Sequence, residues 1–265
     1  MAPTDHQDRV EALLDWLYRD ELRHSRLIWR LEADRRLDPP WPYEGLWYDR
    51  AGAAMIDLRA HPTLGDPDHG LPWYQIAGDD AVAMELLLAA WLPPTCEVLA
   101  DTELQPILER LGHVGSSGRL QVRACAPGEL LGGAAPCRPT RLTLRHRALV
   151  AENDWRPDDL ADEIDEARGG VRWALIDGGH LLARLVVQPV SRQVVEVADV
   201  HTRPDQRRQG HAAALLTAVV RRLHERGFTV TYSVHPSNLP SIRLAASLGF
   251  TPRFSWERYL LERVF

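Results

Sequence analysis

The 265-residue sequence contains no lysine and has 31 arginines. This absence excludes a lysine nucleophile, a lysine Schiff base and lysine self-acylation. The sequence has only three cysteines, Cys96, Cys125 and Cys137, with no CxxC pair and no neighbouring histidine. Such scattered cysteines argue against a disulfide framework and favour buried, reduced thiols.

Other familiar signals are also missing. No HExxH motif or paired Cys/His spacing is present, so we expect no metal site. No apolar run approaches the roughly 18 residues of a membrane span, and the opening MAPTDHQDRV lacks an apolar signal core. A net charge of −6 argues against nucleic acid as a partner. We therefore expect a cytoplasmic protein that binds neither membrane nor nucleic acid.

The composition, 45% hydrophobic and 26% charged, is typical of a soluble globular protein. Apolar periodicity and turn residues predict helices and strands throughout the chain. In the first half the predicted helices cover 5–36, 79–92 and 102–112, and the predicted strands cover 46–48, 53–58, 73–77, 96–100 and 119–124. In the second half the predicted helices cover 157–168, 210–226 and 237–249, and the predicted strands cover 141–146, 171–176, 180–190, 194–202 and 228–236, with a closing strand after Phe250.

The two halves share an order of elements. In each, a strand is followed by a helix, a second strand, a second helix and further strands, although the letters differ. The Gly- and Pro-rich stretch 126–140 is the best candidate linker. We predict an α/β (α+β) fold of two tandem domains, 1–138 and 139–265, each a mixed sheet flanked by helices.

The most informative segment is 196–212, EVADVHTRPDQRRQGHA. A predicted strand ends in a polar turn with two adjacent arginines and Gly210, and an alanine- and leucine-rich helix follows. The free N–H groups of a first helical turn and the helix dipole favour an anion there. Arginines and a glycine that permits close approach suit a pyrophosphate. The corresponding turn of the first half, Gly78-Asp79-Asp80, carries carboxylates that would repel one.

These residues resemble the GNAT superfamily of acetyl-CoA-dependent N-acetyltransferases. The segment 207–212 fits that family's Q/R-x-x-G-x-G/A loop, and Val200-His201-Thr202-Arg203-Pro204 resembles its V-x-P approach. Downstream, the stretch 238–250 resembles its N-x-x-A-x-x-x-Y-x-x-x-G-F helix. The resemblance covers about 141–265, and the first half resembles a degenerate copy, as in tandem members such as mycothiol synthase.

The resemblance implies acetyl-CoA as co-substrate and assigns residues to its parts. The loop amides would hold the pyrophosphate, the β-strand backbone would pair with the pantetheine arm, and an asparagine would contact the pantetheine or lie near the thioester. Arg203 or Arg208 would meet other phosphates. The implied cofactor-binding residues are Val200, His201, Thr202, Arg207, Arg208, Gln209, Gly210, His211, Ala212, Ala213 and Asn238.

Acyl transfer to an amine needs a base for the amine proton and a donor for the oxyanion. Glu196 is the candidate base, because it stands eleven positions before Arg207, the spacing in histone-type members of the family. Asp199 is an alternative. By strand alternation it faces the opposite side from Glu196 unless a bulge intervenes.

The sequence departs from the family at the general acid, the residue that would protonate the leaving thiolate. The usual tyrosine position falls on Ala245, which has no proton to give. Ser247, Tyr232 and Tyr259 are other hydroxyl side chains in this half. Either the thiolate leaves without a side-chain acid, helped by a helix N-terminus, or another group serves.

The acceptor is not specified by the sequence. An acidic predicted helix, 157–168, would attract a cationic amine. We therefore predict an N-acetyltransferase that acts on a primary amine of a small molecule, peptide or protein. The alternative is a weakly active or inactive acyl-CoA-binding sensor, which the missing tyrosine would explain.

Overall fold

A computed structural model describes residues 6–34, 46–49, 52–58, 71–132, 136–151 and 170–264. The chain forms two compact units: unit one comprises Met1–Gln121 and Phe254–Phe265, and unit two comprises Val122–Arg253. The limits of these units differ from the predicted domain boundary between residues 138 and 139. That boundary concerns the two repeats and stays a prediction.

Unit one is a sheet with helices on both faces. Its strands follow the order β1–β2–β3–β4–β11–β5. The helices are α1 His6–Leu17, α2 Glu21–Asp34, α3 Ala81–Trp91 and α4 Gln105–Leu111. The strands are β1 Leu46–Asp49, β2 Ala53–Asp57, β3 Trp73–Gly78, β4 Thr95–Asp101, β5 Gly112–Cys125 and β11 Thr251–Arg263.

Strand alternation gives unit one two cores. Tyr74 and Ile76 of β3 pack with α3 and α4, whereas Ala77, which faces the other way, packs with α1 and α2. The single helix predicted over 5–36 is interrupted by a 3-10 turn at Tyr18–Asp20. Asp20 accepts a hydrogen bond from the backbone N–H of Arg23 at 3.2 Å, so a new helix start is stabilised there.

The strands of unit two follow the order β5–β10–β9–β8–β7–β6. Its helices are α5 Arg147–Ala151, α6 His211–His224 and α7 Leu239–Ser247. Its own strands are β6 Thr140–Arg141, β7 Val171–Asp177, β8 His180–Pro189, β9 Val194–Thr202 and β10 Thr229–Val234. β9 and β10 are parallel, and β6 to β9 pair antiparallel. The core packs α6 and α7 against one face of this sheet.

The structure corrects two predictions of local structure, and a third falls outside the described residues. The strand predicted over 141–146 is present only at Arg141, where β6 ends; the rest is wrong, because a 3-10 turn begins at Leu144 and α5 follows. His146 Nδ1 accepts from the Thr143 N–H at 3.0 Å, which stabilises this local helix start. The closing strand β11 pairs with β4 of unit one through Trp256–Glu262 rather than closing the second half's sheet. The predicted acidic helix 157–168 lies outside the described residues.

Among the helices of the described ranges, none has the length and apolar character needed to span a membrane. The cytoplasmic location stays a prediction.

Candidate functional site

Two neighbouring parallel strands of unit two pair over only part of their length. β9 and β10 are in register from the pair Val194–Thr229 to the pair Val197–Tyr232. Within these described strands no later pair follows, while β9 continues to Thr202 alongside β8. The strands therefore part after Val197. The β9 edge that faces the gap keeps backbone groups with which an extended ligand can pair.

A β-bulge lies in β9 directly after this split. The register passes from the pair Val186–Ala198 to the pair Arg184–His201, so β8 advances two residues where β9 advances three. The extra residue defines a bulge. Asp199 lies in it with a φ of +48°, which is unusual for a residue other than glycine. The bulge resets the alternation, so His201 lies on the same sheet face as Ala198.

Glu196 lies one residue before the last paired position of β9. It is buried, with 8% of its surface exposed. Its register partners are Gln188 in β8 and Thr231 in β10. Val195 and Val197 pack into the core with α6 and α7, so Glu196 projects from the opposite face of the sheet. A carboxylate at this point can take a proton from a nucleophile that attacks a group held in the split.

Asp199, the alternative base, has a different environment. Its carboxylate is 45% exposed and forms an ion pair with Arg184 of β8 at 3.2 Å. A β-bulge that changes the side-chain alternation between Glu196 and Asp199 is thus present. The sequence analysis did not predict a role for Arg184, although a lone arginine in the apolar run LLARLVV indicates a polar position in that strand.

The loop between β9 and α6 has the backbone of an anion cradle. A 3-10 turn, Pro204–Gln206, is followed by Arg208 with a φ of +66° and Gly210 with a φ of +83°. The first bond of α6 runs from the Ala214 N–H to the Gly210 carbonyl at 2.9 Å. Within the described residues no side chain caps this helix, whose N-cap is Gly210, so the N–H groups of 211–213 and the helix dipole point to the loop. Successive backbone N–H groups in such a turn form a concave anion site.

The arginines of the loop differ in their availability. Arg203 holds Asp205 through two hydrogen bonds of 2.6 Å, and this bonding lowers the pKa of Asp205 to about 2. Its charge is therefore already balanced. Arg207 Nε donates to the Thr202 carbonyl at 3.3 Å, which places its guanidinium beside the end of β9. Arg208 is exposed at the positive-φ position, so Arg207 and Arg208 are better placed than Arg203 to meet a phosphate.

His201 adds no positive charge to this site at neutral pH. The residue is exposed, but partial desolvation of its imidazole lowers the pKa of His201, and the guanidinium groups of Arg184 and Arg207 lower it further. The imidazole is therefore neutral at pH 7.

The helix α7 begins beside the end of β10. Asn238 caps it, because its side-chain oxygen accepts from the Ser241 N–H at 3.2 Å. This bond uses the oxygen of the amide and leaves its NH₂ group as a donor. Ala245 is fully buried in the core of unit two, so the position that carries a tyrosine in the resembling family contains no polar atom here.

The glycine at the end of α7 has a packing role that a substitution can test. Gly249 has a φ of +94°, and an added Cβ would overlap the carbonyl oxygen of Glu129. We expect Gly249→Ala to lower the free energy of unfolding by roughly 3 kcal/mol, from backbone strain and overlap together. Gly227→Ala is the matched control, since Gly227 has a φ of +84° with open space at the Cβ position, and it should cost only about 1 kcal/mol. Thermal unfolding of both variants measures the difference; equal costs would contradict the overlap.

Unit one repeats the parallel strand pair but not the cradle. β3 and β4 are in register from Trp73–Glu97 to Gln75–Leu99, and α3 follows β3 as α6 follows β9. The start of α3 is already capped, because the Asp80 carboxylate accepts from the N–H of Ala83 at 2.8 Å. A bound carboxylate at a helix N-terminus competes with an external anion.

The structure thus brings Glu196, the strand 200–202, the loop 207–213 and Asn238 onto two consecutive strand–helix connections of unit two. It does not test their roles. Within the described ranges, no cluster of three or more His, Cys, Asp or Glu side chains could hold a metal ion.

Comparison with known proteins shows what this part of the chain is similar to. Residues 141–250 match the family model described as the acetyltransferase (GNAT) family. A comparison with curated proteins finds no similar sequence.

Solved structures resemble the whole chain. A GCN5-related N-acetyltransferase from Kribbella flavida is 19% identical with a TM-score of 0.56, over 91% of this chain and 96% of its own. One from Sphaerobacter thermophilus is 15% identical with a TM-score of 0.54, over 90% and 91%. A tandem GNAT protein from the clavulanic acid biosynthesis pathway is 14% identical with a TM-score of 0.55, over 99% and 97%. At these identities the likeness concerns the fold alone, and it confirms the predicted fold class. The predicted family resemblance is confirmed for residues 141–250 by the match to the family model.

Proposed function

We propose that this GNAT domain transfers an acetyl group from acetyl-CoA to a primary amine of a small molecule, peptide or protein. One observation carries the proposal: the gap between β9 and β10 is followed directly by a helix whose N-cap is Gly210, a residue without a side chain to bind the first-turn N–H groups. A strand edge and an anion site in succession suit a cofactor with an extended amide-containing arm and a pyrophosphate.

Successive parts of acetyl-CoA would bind to successive segments of the protein chain. The backbone of 200–202 pairs with the pantetheine arm, since β10 has left that edge of β9. The N–H groups of 207–213 hold the pyrophosphate, with the guanidinium groups of Arg207 and Arg208 balancing its charge. The NH₂ group of Asn238 donates to the pantetheine from the start of α7.

The chemistry follows from this placement. The amine attacks the thioester carbonyl carbon, the C–S bond breaks, and the amine proton must leave. Glu196 is the proposed acceptor of that proton, directly or through water, because its buried carboxylate lies at the end of the paired segment. Bound acetyl-CoA supplies the activated acyl group.

Two measurements test the proposal. Isothermal titration of the protein with acetyl-CoA should give saturable binding, and thiol release over a panel of polyamines, aminoglycosides, amino acids and peptides should identify an acceptor. Absence of acetyl-CoA binding would overturn the proposal as a whole.

A second function is favoured by Ala245, which is fully buried and carries no acid. In that case the domain binds acetyl-CoA as a sensor and transfers little or nothing. Tight binding of acetyl-CoA without thiol release over the whole panel would favour this function over transfer.

A further inference from the structure

A tyrosine occupies the point at which the two strands part. Tyr232 is the residue of β10 in the last parallel pair, opposite Val197. Any group inserted between the diverging ends of β9 and β10 therefore ends at these two residues. Tyr232 and Val197 both contribute to the core with α7, so the tyrosine ring lies on the α7 side of the sheet.

The surroundings of Tyr232 fix its ring and its protonation state. The ring packs edge-on against Phe250 with 5.9 Å between the ring centroids, and only 4% of the residue is exposed. Burial raises the pKa of Tyr232, while the hydroxyl of Ser241, which hydrogen-bonds to it, lowers it in part. The phenol is therefore protonated at neutral pH and can donate.

The hydroxyl also reaches the part of α7 where an acid is missing. Its neighbour Ser241 lies in the first turn of α7, and Ala245 follows one turn later on the same face of the helix. Ala245 contributes only a methyl group to this buried region. A tyrosine from the neighbouring strand thus approaches the helix turn that lacks a hydroxyl of its own.

Other hydroxyl groups are engaged elsewhere. Ser247 is exposed and donates to the Leu244 carbonyl at 2.8 Å. Tyr259 belongs to unit one and donates to Gln105 Oε1 at 3.4 Å. Both hydroxyl groups therefore already donate to other groups.

We propose that Tyr232 protonates the sulfur of CoA as it leaves. The inference rests on the proposed acetyl transfer. When the C–S bond of the tetrahedral intermediate breaks, its electron pair goes to sulfur and the Tyr232 O–H proton follows, which gives CoA–SH. The amine proton passes to Glu196 and from there through water to the phenolate, so both side chains have their starting protonation at the end of the cycle.

The test uses CoA itself and needs no acceptor. A donor beside the sulfur stabilises the thiolate of bound CoA, so Tyr232→Phe should reduce the thiolate fraction at a given pH roughly tenfold, which corresponds to one pKa unit. Ultraviolet absorbance of the thiolate, followed against pH with desulfo-CoA as the background, measures this fraction. Tyr259→Phe is the matched control and should leave it unchanged.

The outcomes separate the two proposals. If wild-type protein does not bind CoA, the proposed function itself fails. If CoA binds equally to both proteins and the thiolate fraction does not change in Tyr232→Phe, the role of Tyr232 is overturned. Should Tyr232→Phe not fold, Ser241→Ala keeps the ring and should shift the fraction in the same direction by a smaller factor; no shift there would equally refute the role. With an acceptor in hand, kcat should fall roughly ten- to a hundredfold in Tyr232→Phe, with the KM for acetyl-CoA unchanged.

Discussion

Arg207→Glu combined with Gly210→Asp should weaken acetyl-CoA binding at least a hundredfold, about 3 kcal/mol. The first change replaces a cation beside the loop with an anion. The second puts a carboxylate at the position directly before α6. There it would accept hydrogen bonds from the first-turn N–H groups and so compete with the pyrophosphate for them. Aspartate tolerates the positive φ of +83° at this position better than most residues do, so the loop keeps its course. Isothermal titration with acetyl-CoA measures the loss.

The other end of the same helix offers a matched control. Gly227 also has a positive φ, +84°, with open space at the Cβ position, and Arg221 is exposed in the last turn of α6. Arg221→Glu with Gly227→Asp makes the same change in net charge on the same helix, away from its N-terminus. This variant should bind acetyl-CoA as the wild type does. Equal affinity of the loop variant and this control would refute the cradle as the cofactor site.

Local sequence signals were sufficient to predict the cradle. A run of alternating apolar residues, two arginines, Gly210 and an amphipathic helix are all local features, and the structure places a strand, a positive-φ turn and an uncapped helix there. The same holds for Gly78-Asp79-Asp80, where the expected cap of α3 by a carboxylate is present. In both turns, short-range hydrogen bonding and backbone preference decide the conformation.

Pairing between distant segments could not be predicted in this way. The end of the β9–β10 register at Val197 and Tyr232 depends on where neighbouring strands compete for hydrogen bonds. The bulge at Asp199 is defined only against β8, and β11 pairs with β4, more than 150 positions earlier in the chain. Alternation along one strand says which residues share a face, but it does not say which strand lies alongside. For this reason the sequence identified Glu196 and Asp199 together, and only the register separated their environments.

Glu196→Gln should lower kcat roughly a hundredfold or more, the usual contribution of a positioned base, and should leave the affinity for acetyl-CoA unchanged. Glutamine fills the same space and keeps a hydrogen-bonding side chain between Gln188 and Thr231, but it cannot take the amine proton. The residual rate should rise with pH, because only the fraction of acceptor that is already a neutral amine can react. Steady-state thiol release between pH 6 and pH 9 (roughly the range over which such a base operates) measures both effects.

Asp199→Asn is the comparison that makes this result specific. It removes a carboxylate only three positions away, within the bulge, where Arg184 already balances the charge. We expect its kcat to stay within about threefold of the wild type, because asparagine keeps an oxygen that can accept from Arg184 and the Asp199 side chain is 45% exposed. An undiminished rate in Glu196→Gln would exclude Glu196, and a large loss in Asp199→Asn alone would transfer the role of base to Asp199. If neither variant changes kcat while both bind acetyl-CoA, the amine loses its proton to water, and the burial of Glu196 beside the split serves the packing of β8, β9 and β10 instead.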